Sequence, residues 1–311
     1  MSSLRDKSYA LQLNAGLRRT LKAPISAVGR GLHSGLNVRI TLRPADANVG
    51  IVFRRVDLGI DIPARHDLVS ETRLCTLVSL GDAKVGTIEH LMAALAAMGV
   101  DDLIVEVDAS ELPIFDGSAA PFLFLLESAG VVEHGGIRPV LEILRSVRVE
   151  QNGAFAELRP HQDGATGFDI ALSIEFQARA IGAQAYHFHL STEEFASEIA
   201  SARTFTLRAE VEALREAGLA LGGSLANAVV VDDEKVMNPE GLRYSDEFVR
   251  HKLLDVIGDL YLAGAPISGR FIGCRTGHGL NNRLLRAVFK DSANYRLTTG
   301  VPEKPLQLTA A

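Results

Sequence analysis

Leu36, Val38, Ile40 and Leu42 alternate with Asn37, Arg39 and Thr41. A period of two over that length predicts a strand with one buried face, closed by Pro44. Shorter runs at 49–54 and 74–80 predict further strands. At Thr87 the pattern changes. Residues 88–98 are apolar on every side after the first turn, with Thr87 placed as an N-cap and Gly99 as a stop. A helix of that kind must be buried. A strand at 103–107 follows, and Asp116-Gly-Ser118-Ala-Ala-Pro121 introduces a second helix of about three turns that ends near Gly130. The order is strands, helix, strand, helix.

Beyond a polar, glycine-containing stretch at 133–138 the same order recurs. Strands are predicted at 140–150, 153–159, 168–176 and 185–190, then a helix near 247–263, a strand at 268–274 and a helix at about 280–290. The expected fold class is α+β, two repeated halves packed together with a boundary near residue 137. This divides the chain into an N-terminal extension (1–17), a first domain (18–137), a second domain (138–291) and a tail (292–311). The second half carries extra material at roughly 191–231, where Ser191-Thr-Glu-Glu194 fits a capping box and Gly222-Gly223 breaks the pattern.

The 311 residues are 47% apolar, which suits about two domains and excludes a disordered or collagen-like chain. With 32 Lys+Arg against 38 Asp+Glu, the net charge of −6 argues against coating a nucleic acid polymer. Cys75 and Cys274 are the only cysteines, too few for a disulfide framework or a cysteine zinc ribbon, so a reduced, cytosolic protein is expected. Apolar runs such as 91–99 reach about half the ~20 residues of a membrane span, and no signal peptide is expected in residues 1–22. Gly29-Arg-Gly-Leu-His33-Ser-Gly35 has a glycine-loop look, but it leads into a strand and not a helix, which argues against dinucleotide binding.

Candidate chemistry gathers on the helices. On a wheel for 248–262, Val249, Leu253, Leu254, Val256, Ile257, Leu260 and Tyr261 share one face, and His251, Lys252, Asp255 and Asp259 the other. His251 and Asp255 stand one turn apart, so they could reach one point off the helix or simply form a solvated i,i+4 pair. Glu89 and His90 are the only charged or imidazole groups on the first-half helix. Were the halves to pack with pseudo-symmetry, His90 would approach His251 and Asp255, and two imidazoles with one carboxylate are a sufficient hydrolytic zinc set. Glu89 could then accept a proton, or merely complement the helix dipole. His278, flanked by Gly277 and Gly279, could be a general acid or a loop histidine. Thr204 could donate to an oxyanion or be an ordinary strand threonine.

Seven blocks, in order, carry a family resemblance: Arg19-Thr-Leu-Lys22, Gly31-Leu-His-Ser-Gly35, Thr87-Ile-Glu-His-Leu91, Asp116-Gly-Ser-Ala119, Ser201-Ala-Arg-Thr-Phe205, Asp246-Glu-Phe-Val-Arg-His-Lys252 with Asp255, and Gly277-His-Gly-Leu-Asn-Asn282. Together they resemble the UDP-3-O-acyl-N-acetylglucosamine deacetylases over about residues 19–288. The resemblance implies a zinc amidase that removes acetate from a UDP-linked 3-O-acylated sugar, the committed step of lipid A synthesis in Gram-negative bacteria. It implies two β-α-α-β halves packed as a sandwich with helices between the sheets, and an inserted βα subunit at about 206–231 that shapes an apolar passage. His90, His251 and Asp255 would hold zinc, and Glu89 would be the base. Thr204 would polarise the carbonyl and His278 would protonate the amine. Asp259 would orient His278 and Lys252 would add positive charge. Substrate contacts are implied for His33, Cys75, Phe205, Leu207 and Arg275. Departures from relatives fall at Gly279 (for Ala), Arg275 (for Lys) and Leu207 (for an aromatic residue).

The resemblance also implies a cytosolic monomer, a small-molecule substrate and no integral membrane segment. Fe²⁺ or Co²⁺ would suit the same three ligands. Two other readings stand beside it: a non-catalytic binding protein for lipidated nucleotide sugars, and a zinc amidase for another N-acetyl sugar.

Overall fold

In the strand Asn37–Pro44, Val38, Ile40 and Leu42 are fully buried while Asn37 and Arg39 face solvent, the alternation expected of a half-buried strand. The computed structural model describes residues 16–162 and 164–299. Most of the extension expected at 1–17, and the end of the tail, lie outside the described residues. Asn37–Pro44 pairs antiparallel with Ile25–Arg30 and with Leu103–Val107. Leu103–Val107 runs parallel to Ile51–Arg55, which pairs with Ile60–Pro63 to complete a five-stranded sheet.

A seven-stranded sheet is built around Ile267–Cys274, antiparallel to Ala154–Arg159 and parallel to Phe168–Glu175. Hairpins add Val147–Gln151 and Ala183–His189. The single strand expected at 140–150 is two, Pro139–Ile143 and Val147–Gln151. The break falls where the Leu144 and Arg145 N–H groups turn to the Asn294 carbonyl. Part of the expected tail, Tyr295–Thr299, pairs with Pro139–Ile143.

One stretch read as a connection is a strand, and one expected strand is shortened, each through distant partners. Val131–Ile137 is a strand paired with Leu17–Leu21, and Arg18 anchors that ribbon through a buried bidentate pair with Asp102 at 2.6 and 2.7 Å. The strand expected at 74–80 shortens to Leu77–Leu80 because Thr76 spends its N–H and hydroxyl on side chains of the site and not on a ladder.

Helix α1 (Glu89–Met98) is buried on nearly all sides and stops at Gly99, whose φ of 65° is the left-handed geometry glycine accepts. Thr87 does not cap it: the cap position is Ile88, and Thr87 sits at φ 55° with its hydroxyl buried and lacking a hydrogen-bond partner. Helix α2 (Ala120–Ala129) follows, with Pro121 in its first turn. In the second half, α3 (Arg208–Glu216) buries no side chain and joins Phe205–Leu207 to the parallel strand Val229–Asp232, a small inserted βαβ unit. Helix α4 (Glu247–Tyr261) and helix α5 (His278–Phe289) complete the set.

Helix α4 crosses α1 at backbone contact, and Gly258 makes the approach possible: a Cβ there would lie 2.0 Å from the Glu89 carbonyl oxygen. α4 also packs on Phe168–Glu175 and Ala183–His189, while α2 packs on Ile25–Arg30. Helices α1, α2, α4 and α5 therefore lie between the two large sheets, α3 stands on the inserted unit, and one continuous core runs through both halves. The fold is α+β. Among the described residues no helix is long and apolar enough to cross a membrane.

Candidate metal centre and acid–base pair

The α1–α4 crossing brings His90 of the first helix beside His251 and Asp255 of the second. One donor atom from each lies within 4.8 Å of the others, and all three residues are buried. Asp255 Oδ1 is 3.4 Å from His251 Nε2 and 3.9 Å from His90 Nε2, and the two rings meet edge to face. These separations are too long for hydrogen bonds and suit ligation. Donors about 2.1 Å from a tetrahedral centre stand about 3.4 Å apart. His251 Nδ1 donates to the Ala202 carbonyl at 3.0 Å, which leaves Nε2 as the free lone pair.

The protonation states agree with that use. Burial, with the neighbouring His251, drives the His90 imidazole down to about 3, and burial also lowers His251, so both are neutral near pH 7. Burial alone would raise Asp255, yet Lys252, His251, His278 and His90 hold it below the usual carboxylate range. Lys252 Nζ donates to Asp255 Oδ2 at 2.7 Å. Neutral imidazoles and an ionised carboxylate are what a divalent ion requires, and with Lys252 on Oδ2 it is Asp255 Oδ1 that faces the two imidazole nitrogens.

Glu89 and His278 flank this trio. Burial, reinforced by Asp255 and Asp259 and opposed by His278, raises the Glu89 carboxyl to about 7. Its Oε2 accepts the Thr76 N–H at 3.0 Å and its Oε1 stands 3.9 Å from His278 Nε2. Burial would lower His278, but Asp259 outweighs it and lifts the imidazole to about 9. His278 Nδ1 donates to Asp259 Oδ2 at 2.9 Å. Asn281 donates to the same oxygen at 2.8 Å and the Thr76 hydroxyl to Oδ1 at 2.5 Å.

A cavity of about 1020 Å³ opens over the site. Thr204, His251, Lys252, Asp255 and His278 line it, together with the apolar Phe176, Phe205, Val211, Leu214, Leu225 and Val230 and the charged Arg208, Glu210, Glu212 and Arg215. Arg275 and His33 also line it, and Arg275 is steadied by the Gly153 carbonyl at 2.9 Å. Two residues expected near substrate lie elsewhere. Leu207 packs against the core and not in the wall, where Phe176 and Val211 are found instead. Cys75 is buried in a separate cavity of about 320 Å³ shared with His33, and burial pushes its thiol up to about 12, leaving it neutral. Thr76, which ties Glu89 to Asp259, and Asn281, which holds Asp259, escaped the sequence reading. Asn281 had a weak signal, one helical turn beyond His278, whereas Thr76 had none.

A buried His-His-Asp trio beside a carboxyl and an imidazole of opposite protonation is the equipment of a metal-dependent hydrolase. The family model for UDP-3-O-acyl N-acetylglycosamine deacetylase (LpxC) matches residues 18–290. Curated relatives named UDP-3-O-acyl-N-acetylglucosamine deacetylase include those of Chromobacterium violaceum, 51% identical over 88% of this chain and 90% of the relative, and Stenotrophomonas maltophilia, 48% identical over 88% and 91%. The relative from Idiomarina loihiensis is 48% identical over 91% of this chain and 92% of its own. The chain belongs to the UDP-3-O-acyl N-acetylglycosamine deacetylase family.

Proposed function

We propose that this protein hydrolyses the acetamide of UDP-3-O-acyl-N-acetylglucosamine, releasing acetate and the free amine, in lipid A synthesis. The observation that carries the reading is the pairing of Glu89 and His278, 3.9 Å apart and beside the His-His-Asp trio, with His251, Asp255 and His278 lining a cavity that apolar side chains also line. His90, His251 and Asp255 would hold one zinc ion, and the same set also suits Fe²⁺. When bound, the ion supplies a Lewis acid toward water and the amide carbonyl.

The side chains divide the proton work. Glu89 Oε2 is fixed by Thr76, so Oε1 takes the proton of the attacking water. The Thr204 hydroxyl donates to the oxygen on which charge develops, and Lys252 adds its positive charge beside Asp255. Amide collapse requires a proton on nitrogen, since an amide anion is a poor leaving group. His278 delivers it from Nε2 while Asp259 holds Nδ1 and keeps the ring protonated. Arg275 and His33 would face the diphosphate, with a guanidinium fork suited to phosphate oxygens. Phe205 and the apolar wall would receive the acyl chain.

We take 18–137 and 138–291 as the two α+β units. Supporting this, each large sheet places a late strand, Leu103–Val107 in one and Ile267–Cys274 in the other, between two earlier hairpins, antiparallel to one and parallel to the other. We take the protein as a monomer, as the family resemblance implies, and a nucleotide-linked substrate favours action in the cytoplasm. The test is amine release from UDP-N-acetylglucosamine with and without its 3-O-acyl chain, alongside metal content. Binding without acetate release would make it a carrier, and equal turnover of both substrates would make it an amidase of different specificity.

A further inference from the structure

We infer that Glu247 is a positioning residue for His251, acting through the Ala202–Arg203 peptide that lies between them. The inference rests on the reading of His251 as a metal ligand. Glu247, His251, Asp255 and Asp259 recur every fourth residue along α4, so they form one stripe, and Glu247 opens it in the first turn. It is completely buried and does not line the cavity, so it cannot meet substrate.

Its Oε1 accepts the Arg203 N–H at 3.0 Å. One turn further along the helix, His251 Nδ1 donates to the Ala202 carbonyl at 3.0 Å. That N–H and that carbonyl are the two ends of a single planar peptide, so two side chains of one helix grip it from both ends. A carboxylate at the N–H end polarises the unit and makes its carbonyl a stronger acceptor. The stronger acceptor holds the proton on Nδ1 and aims Nε2 at the Asp255 carboxylate. This is the carboxylate–histidine–metal arrangement with a peptide interposed.

The remaining contacts keep Glu247 in place. The Arg203 side chain donates to Oε1 at 2.8 Å and to Oε2 at 3.1 Å, and the Arg243 N–H donates to Oε2 at 2.7 Å. The gripped segment is also tied to the first half, since the Thr204 N–H donates to the Gly117 carbonyl at 2.8 Å. Glu240 gives the control. It pairs with Arg203 at 2.8 Å through an exposed side chain, with no bond to the 202–203 peptide.

The experiment compares zinc affinity of the full-length wild type, Glu247→Gln and Glu240→Gln by chelator competition, with kcat and KM for the acylated sugar nucleotide. Loss of an outer partner of a ligating histidine weakens the metal by about 10–100-fold. Glu247→Gln should therefore weaken zinc by that factor and lower kcat with KM unchanged, while Glu240→Gln keeps the wild-type affinity. Wild-type affinity in Glu247→Gln, or equal loss in both variants, overturns the inference. Should Glu247→Gln fail to fold, the nitrogen-15 spectrum of zinc-loaded wild type decides: a protonated, hydrogen-bonded His251 Nδ1 with zinc on Nε2 supports it, and zinc on Nδ1 refutes it. A wild type that neither binds zinc nor releases acetate brings down the functional reading itself and this inference with it.

Discussion

Replacing Gly258 with alanine should separate stability from function. The added Cβ would sit 2.0 Å from the Glu89 carbonyl oxygen, 2.8 Å from its carbonyl carbon and 3.1 Å from the Ala93 nitrogen. A tolerable carbon–oxygen approach is about 3.3 Å, so α1 and α4 must part by about 1 Å where they cross. The obstructing atoms are helix backbone, which cannot swing aside as a side-chain tip would. Overpacking of this kind costs about 1–3 kcal/mol, while exchanging glycine for alanine inside a helix returns about 1 kcal/mol. The net loss, about 0–2 kcal/mol, lowers Tm by only a few degrees. Function should suffer far more, because Glu89 and His90 ride on one helix and Asp255 and Asp259 on the other. A misplacement of about 1 Å costs about 10²-fold in rate. The assays are a thermal melt, zinc per chain by mass spectrometry and kcat/KM for amine release. A folded Gly258→Ala protein with wild-type zinc content and turnover would refute the argument that this contact sets the site's geometry.

Glu89→Gln should retain zinc and lose about 10²–10⁴-fold in kcat, as expected for removal of a general base; full turnover in a zinc-replete variant would exclude the base role. The rate should rise with pH as Glu89 ionises near 7 and fall as His278 loses its proton near 9. Asp259→Asn removes the charge that lifts His278, so the falling limb should move to lower pH in a pH–rate profile, and an unmoved limb would contradict the pairing. Saturating zinc at about 100 times its Kd should stabilise the apo protein by about 2.7 kcal/mol in a melt, and His90→Ala should abolish that shift.

Much of the site could be read because its signals are local. His251 and Asp255 are one turn apart, Glu89 adjoins His90, and glycine flanks His278, so spacing alone nominated them, and the family blocks assigned them roles. The partners Thr76, Arg203 and Glu247 were harder. Thr76 acts through its N–H as well as its hydroxyl, and the 202–203 link is a peptide bond, which every residue possesses and no composition marks. Thr87 shows the opposite failure. A good capping residue by type sits in a left-handed conformation and caps nothing, because the cap position belongs to Ile88. Leu207 was expected in the passage because it stands where relatives carry an aromatic residue, but it packs against the core.

Periodicity in the chain by itself determined the strand alternation at 37–44, the first helix buried on nearly all sides, the existence of the helix after 247 and the α+β class, whereas burial of that second helix's polar face came only with the fold. Only the tertiary structure decided that 131–137 and 295–299 are strands, that α1 and α4 touch backbone to backbone at Gly258, and that Asp259 is shared by three residues from two other segments. Those outcomes depend on hydrogen bonds and packing between residues far apart in sequence. Their free energy exists only once the chain has closed the loops between them.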